Sequence, residues 1–171
     1  MKMRYLIIGM LLSLVTISYG QKSDKWSKWD WLTGEWEGEG SGIPGEGSGV
    51  FSFAFDLENN ILVRKSHSEY PGENIKSRTI HDDLMIVYPD QTGIPSKAIY
   101  FDNEGHTINY NITYPESSII LTSESPGQKP VLRLVYTKLE DENVYTRFEM
   151  SRDGVNFMTY VEGKSKRVIK K

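Results

Sequence analysis

The amino-acid sequence predicts an all-β protein, a ten-stranded antiparallel meander closed into one barrel with a short N-terminal helix. On the first predicted strand, Trp36, Gly38 and Gly40 fall on one face, and Glu35, Glu37 and Glu39 fall on the other. Similar short alternating segments recur to the C-terminus, and Gly, Pro, Asn and Asp separate them. We favour a closed barrel because closure leaves no exposed strand edge. A two-sheet sandwich with Greek-key connections is the structural alternative.

The first 20 residues have the composition of a secretory signal peptide. Lys2 and Arg4 precede an apolar stretch of about twelve residues, and small residues before Gln21 form a cleavage site. This stretch is shorter than the roughly 20 residues of a membrane span, although an uncleaved anchor is the alternative. We therefore expect a signal peptide at 1–20 and one domain at 21–171, exported to the periplasm or secreted.

Charge and cysteine content exclude several classes of function. The net charge of −3 becomes about −5 when Lys2 and Arg4 are removed, which disfavours nucleic acid and anionic membranes as partners. The only basic run is the C-terminal tail, which we interpret as solvated and which consists of Lys164, Lys166, Arg167, Lys170 and Lys171. The chain has no cysteine, so disulfides, thiolate metal sites and cysteine catalysis are excluded.

Each element has a local signature. Residues 23–32 predict a short helix across one barrel end, because Trp26, Trp29 and Leu32 recur at three-residue spacing. The Trp36 strand follows, and nine further segments alternate between polar and apolar residues. They are residues 50–56, 61–70, 79–88, 97–103, 106–114, 117–122, 131–137, 144–150 and 155–163.

The segment Gly34-Glu35-Trp36, at the first strand after a short helix, resembles the G-x-W entry of the calycin superfamily. That superfamily includes lipocalins and fatty-acid-binding proteins, and ten strands are more similar to its fatty-acid-binding and nitrobindin-like branches. The resemblance implies that Trp36 closes the barrel base under an arginine from a late strand, for which Arg133 and Arg147 are candidates. Blocks 81–85 and 100–106 also resemble those of exported bacterial proteins with no assigned activity.

Ionisable residues fall on strand faces that the pattern places inside the barrel. His106 shares parity with Ile108 and Tyr110, so we expect it to begin an inward row. In 61–70 and 79–88 the pattern leaves open which face is inward, but each face carries a charge. The candidate ligand-binding residues are Arg64, His67, His81, Asp83, Asp102, His106 and Arg133.

Buried charges are costly unless they are paired, so these residues form either a structural network or a ligand pocket. We favour the pocket, because ten strands enclose more space than their side chains readily fill. The predicted function is binding of a small, partly apolar ligand. A barrel enzyme with a His/carboxylate acid–base pair, acting as an isomerase or hydrolase, and a surface interaction module are the alternatives.

We expect no metal and no other cofactor, with haem and a metal ion as alternatives. Each of the three histidines lies near a carboxylate in sequence, as in His81-x-Asp83, but there is no His-x-His pair. The nitrobindin resemblance implies haem with a proximal histidine late in the chain. No histidine follows His106, so this chain lacks the late histidine that would bind the haem iron.

Overall fold

The computed structural model describes residues 24–39, 48–70, 79–124 and 130–169. The expected signal peptide at 1–20 lies outside these ranges, as do Lys170 and Lys171 of the basic tail. Within the described ranges, no helix combines the length and the apolar character needed to cross a membrane.

Ten antiparallel strands form one closed barrel, in which each strand pairs with its neighbours in sequence and β1 pairs with β10. This confirms the predicted fold class. The strands are β1 (Gly34–Gly38), β2 (Ser48–Asp56), β3 (Ile61–Tyr70), β4 (Thr79–Tyr88), β5 (Lys97–Asp102), β6 (Thr107–Thr113), β7 (Ser118–Ser123), β8 (Val131–Lys138), β9 (Asn143–Ser151) and β10 (Met158–Arg167).

The segment before β1 covers one end of the barrel, which we call the base. It contains a 3₁₀ helix, Asp24–Trp26, followed by turns in which Trp29 and Leu32 donate to carbonyls three residues earlier. The expected helix over 23–32 is thus limited to one 3₁₀ turn. Three-residue hydrogen bonding matches the three-residue spacing of the apolar side chains and places them on one buried face.

Three buried tryptophans hold the base together. The indole N–H of Trp26 donates to the carbonyl of Asn59 at 2.8 Å, and that of Trp36 donates to the carbonyl of Leu32 at 2.8 Å. Trp29 donates to the hydroxyl of Tyr114 at 2.8 Å. Because every indole donor has an acceptor, the base buries large apolar surfaces without an unpaired N–H group.

Arg167 at the end of β10 packs on Trp36, with its guanidinium carbon 4.3 Å from the ring centroid. Its nitrogens donate to the carbonyls of Thr33 at 2.5 Å and Trp31 at 2.6 Å. The expectation that Arg133 or Arg147 fills this role is wrong, because both lie on strands that pair away from β1. Arg167 was assigned to a solvated tail, yet it belongs to the strand that closes the barrel.

The last predicted strand is displaced along the sequence for a local reason. Residues 155–157 were expected in a strand but belong to the preceding turn, and β10 runs instead from Met158 to Arg167. The Asp153 carboxylate accepts the backbone N–H groups of Val155 and Asn156, which closes that turn. The same hydrogen bonds hold the pKa of Asp153 well below its usual range.

We predict that Gly34→Ala lowers the free energy of unfolding by more than about 1 kcal/mol, because alanine is strained at positive φ. Gly34 has φ of 116°, and a Cβ there would lie 2.7 Å from the Arg167 guanidinium. Urea denaturation measures this loss. The control is Gly163→Ala, where no positive φ exists and no atom lies within 4 Å of the added carbon. Equal stability of the two variants would contradict the prediction.

Candidate functional site

The end of the barrel opposite the base, which we call the mouth, carries most of the candidate side chains. There β3 and β5 finish and β4 and β6 begin. Register and burial settle which face points inward: Arg64 is buried on β3 and pairs across strands with buried Met85 on β4. His81 and Asp83 share the inward face of β4 with Met85, while His67 takes the opposite face of β3.

An ion pair between Arg64 and Asp83 forms the floor of the mouth. Their side chains retain 9% and 5% of their accessible surface, and Arg64 Nη1 donates to Asp83 Oδ1. Burial raises the pKa of the Asp83 carboxyl, and the attraction of Arg64 opposes that rise. The guanidinium also lies over the ring of Phe51, 5.5 Å from its centroid.

Several polar atoms on the inward face below the mouth have no hydrogen-bond partner. These are Arg64 Nε, the Tyr136 hydroxyl and the Thr146 hydroxyl, all inaccessible to solvent. Burial raises the pKa of Tyr136, so its phenol stays protonated. An unpaired buried donor lowers the free energy of unfolding by about 1–3 kcal/mol.

His81 connects the interior to the rim of the mouth. Its Nδ1 lies 3.1 Å from Glu104 Oε1, and its Nε2 lies 2.9 Å from the Tyr100 hydroxyl. Asp83 Oδ2 is 3.8 Å from the same Nε2. Burial, with the charges of Asp83 and Asp102, raises the pKa of Tyr100, so its phenol is also protonated. These contacts form a hydrogen-bonded chain from exposed Glu104 to the interior.

His106 does not begin an inward row. It lies in the turn before β6, where 61% of its side chain is exposed, although the predicted inward parity is correct for Tyr110 and Ile112. Its Nδ1 lies 2.8 Å from Asp102 Oδ2, and its backbone N–H donates to Asp102 Oδ1. Burial opposes ionisation of Asp102, yet the combined hydrogen bonds of His106 lower the pKa of this carboxyl.

Two other candidates lie on the outer surface of the barrel. His67 contacts Asp82 at 2.6 Å and Glu69 at 3.3 Å, all on outward faces of β3 and β4. Arg133 on β8 donates to Glu149 Oε2 at 2.6 Å and lies 3.7 Å over the ring of Phe157. The structure therefore groups Arg64, His81, Asp83 and Asp102 at the mouth and separates them from His67 and Arg133.

One side of the mouth is apolar and open. Val161 pairs with Phe148, and Phe148 pairs with buried Leu134, so register places Val161 on the inward face. Met158 shares that face, and Tyr160 at a bulge packs edge-on against Phe148. Met158 and Tyr160 are nevertheless each 69% exposed. Apolar side chains that face inward but remain exposed line a space that the chain itself does not fill.

The backbone position of Gly163 also indicates unfilled space on the inward side of β10. It pairs with Thr146, which pairs with buried Tyr136, so the missing side chain of Gly163 would point into the barrel. A Cβ built at Gly163 would meet no heavy atom within 4 Å. At Gly49, by contrast, a Cβ would lie 2.7 Å from Ser68 Oγ. The open space thus lies beside β10.

Sequence reasoning missed Glu104, Tyr100 and Gly163 as site residues. Tyr100 shares parity with Ala98 and Asp102, so alternation could have placed it inside. The sequence places Glu104 in a turn and beside Asp102 and His106, but its contact with His81 joins residues 23 positions apart, which no local pattern encodes. Gly163 gave no sequence signal, because its significance depends on the register between β9 and β10.

The described residues contain no metal site, and they form a surface depression beside one loop. Among them, no group of three or more His, Asp or Glu side chains is arranged to hold a metal ion. A depression of about 640 Å³ lies beside the β4–β5 connection. Its Asp90 carboxylate accepts from Thr92 and Ser96, which lowers the pKa of Asp90 to about 2, so that group serves the loop itself.

We predict strong non-additivity between Arg64 and Asp83. Arg64→Met should lower the free energy of unfolding by about 3–5 kcal/mol, because it leaves Asp83 buried without its cation. Adding Asp83→Leu removes that charge and should recover most of the loss. Urea denaturation of the two single variants and the double variant measures the coupling. Additive losses would show that the pair does not act as a unit.

We predict that the pKa values of His67 and His106 lie above 6.5 in the folded protein, because Asp82 and Asp102 accept hydrogen bonds from their charged forms. The charged forms of the two histidines therefore stabilise the folded protein fully below about pH 6.5. This stabilisation is lost as the pH rises through their raised pKa values. NMR titration of the imidazoles measures both. Asp82→Asn should lower only the pKa of His67 and Asp102→Asn only that of His106, so each variant controls for the other. Unchanged values in both variants would contradict the assignment.

The fold is similar to that of a solved barrel protein. The crystal structure of Rv2717c from M. tuberculosis superposes with a TM-score of 0.55 at 13% identity, covering 85% of this chain and 98% of that one. No protein-family model matches the chain, and no curated protein matches its sequence. At this identity the likeness shows the barrel fold and nothing about what the barrel binds.

Proposed function

We propose that this protein is an exported barrel that binds a small, partly apolar molecule in its mouth, without a metal or other cofactor. The observation that carries the proposal is the exposed inward row on β10, where Met158 is 69% and Val161 38% accessible. A protein normally buries apolar side chains that face its interior, so exposed ones mark a surface that another molecule can cover.

The two halves of the interior differ in a way that fits this function. Toward the base, Trp36, Phe53 and Leu62 are essentially inaccessible and fill the barrel with close-packed apolar side chains. Toward the mouth, an apolar wall faces a few polar groups, namely Arg64, His81, Asp83 and Tyr100. Ligand sites combine a largely apolar lining with a small number of placed polar groups.

Export and the calycin-like character of the barrel are part of the same proposal. Residues 1–20 have the composition of a signal peptide, which supports export. The arginine packed on Trp36 reproduces the arrangement that the calycin resemblance implies, with Arg167 in the arginine's place. We therefore propose that the chain is a calycin-like barrel. Acid–base catalysis by His67 or His81 with a carboxylate is the alternative. Binding is favoured because His67 lies on the outer surface and both ring nitrogens of His81 already have partners, Glu104 and Tyr100.

Filling the space beside Gly163 tests the proposal. Nile red, a neutral apolar dye, should bind the wild-type protein with a blue shift of its emission. We predict that Gly163→Trp weakens this binding at least about tenfold, or about 1.4 kcal/mol, because the indole occupies the same space. Fluorescence titration gives the dissociation constants, and circular dichroism confirms that the variant folds.

Lys166→Trp provides the matched control, because Lys166 is exposed on the opposite face of β10. The same indole added there should leave dye binding unchanged. Absence of dye binding to the wild type, or equal binding by the two variants, would refute a ligand site in the mouth.

A further inference from the structure

His81 has hydrogen-bond partners on both ring nitrogens, and those partners determine which nitrogen carries the hydrogen. Glu104 Oε1 lies 3.1 Å from Nδ1, and a carboxylate can only accept, so Nδ1 is the donor. In the neutral ring Nε2 is then an acceptor. The Tyr100 hydroxyl, 2.9 Å from Nε2, must therefore donate its hydrogen to His81.

This arrangement leaves Tyr100 as an acceptor toward the interior. Its single hydrogen points at His81, so only the lone pairs of its oxygen remain for another group. Asp83 Oδ2 lies near the same nitrogen, 3.8 Å away, and is also an acceptor. The polar side of the mouth thus offers two acceptor oxygens. Its nearest permanent cation, Arg64, pairs with Asp83 through Nη1, and the unpaired Nε of Arg64 is buried below the mouth.

The charged groups around these two oxygens are mainly carboxylates, which favour a positively charged ligand group. Asp83 and Asp102 lie on inward faces of β4 and β5, and Glu104 lies at the rim. Among the described residues of this cluster, Arg64 is the only permanently charged cation facing these three carboxylates. The aromatic rings of Tyr100 and Tyr110, packed edge to face at 6.4 Å, add faces that attract organic cations.

We propose that the mouth selects ligands whose polar end is a hydrogen-bond-donating cation, an organic ammonium group on an apolar body. Tyr100 and Asp83 contact the ammonium group, and the wall formed by Met158, Tyr160 and Val161 contacts the apolar body. Glu104 and His81 are positioning residues, because they fix the direction in which the Tyr100 hydroxyl points. This inference rests on the proposed function and specifies its ligand class.

The test compares two probes with the same apolar body, 4-phenylbutylamine and 4-phenylbutyrate, titrated into the full chain at pH 7.5 by NMR. The ammonium compound should bind at least about tenfold more tightly, which is the effect of a hydrogen bond to a charged group. Tyr100→Phe removes one acceptor and should weaken amine binding about tenfold. Tyr145→Phe is the control, because that hydroxyl bonds Glu162 on the outer surface.

A second readout follows the positioning role directly. In the wild type, nitrogen-15 shifts of His81 should show the hydrogen on Nδ1. Glu104→Gln supplies an amide that can donate as well as accept, so the Nε2-protonated form should become populated. The preference for the amine should fall in the same variant, whereas a purely structural role of Glu104 would change stability alone.

The outcomes separate the inference from the function on which it rests. Tighter or equal binding of 4-phenylbutyrate, while Nile red still binds, would overturn the ammonium assignment and leave the mouth as a ligand site. Amine binding that is unchanged in Tyr100→Phe, or an Nε2-protonated His81 in the wild type, would overturn the role given to Tyr100. Failure of all three probes to bind would refute the proposed function together with this inference.

Discussion

Two stacked aromatic rings between two guanidinium groups join the closure of the barrel to the floor of the mouth. Arg167 lies over Trp36, Trp36 stacks on Phe51 with centroids 6.1 Å apart, and Arg64 lies over Phe51. The first contact pins β10 to β1, so the sheet closes on itself. The last one holds the cation that neutralises Asp83. Loosening the closure would therefore disturb the ion pair, although the two arginines lie at different levels of the barrel.

The filled base explains how the mouth can remain open. Burial of large aromatic side chains contributes most of the hydrophobic stabilisation, and each of the three base tryptophans buries its indole with the N–H satisfied. The mouth carries unpaired polar atoms and exposed apolar side chains, both of which reduce stability. Binding surfaces are drawn from such regions of low local stability, because a fully packed interior has no surface to offer.

Alternation predicted the strands and their faces well, because the side-chain period of a strand is a local property. It placed Tyr110 and Ile112 inside and the glutamates of β1 outside, as the structure shows. Alternation failed for side chains whose position depends on contacts outside their own strand. The sequence pattern assigns Arg167 to a solvated tail, because its contact with Trp36 joins residues 131 positions apart. His106 has inward parity, but Asp102 holds it in the turn beyond the strand.

The Arg64–Asp83 pair has a structural role and, in the function we propose, a binding role, and its geometry shows why these need not conflict. Buried ion pairs contribute little net stability, since desolvation offsets most of the attraction. What the pair does supply is a fixed carboxylate at the bottom of an open space, with one oxygen bonded to Arg64 and the other facing His81. An apolar pair of similar volume would hold the barrel closed equally well. It would leave the mouth without a charged group whose direction is set by the fold.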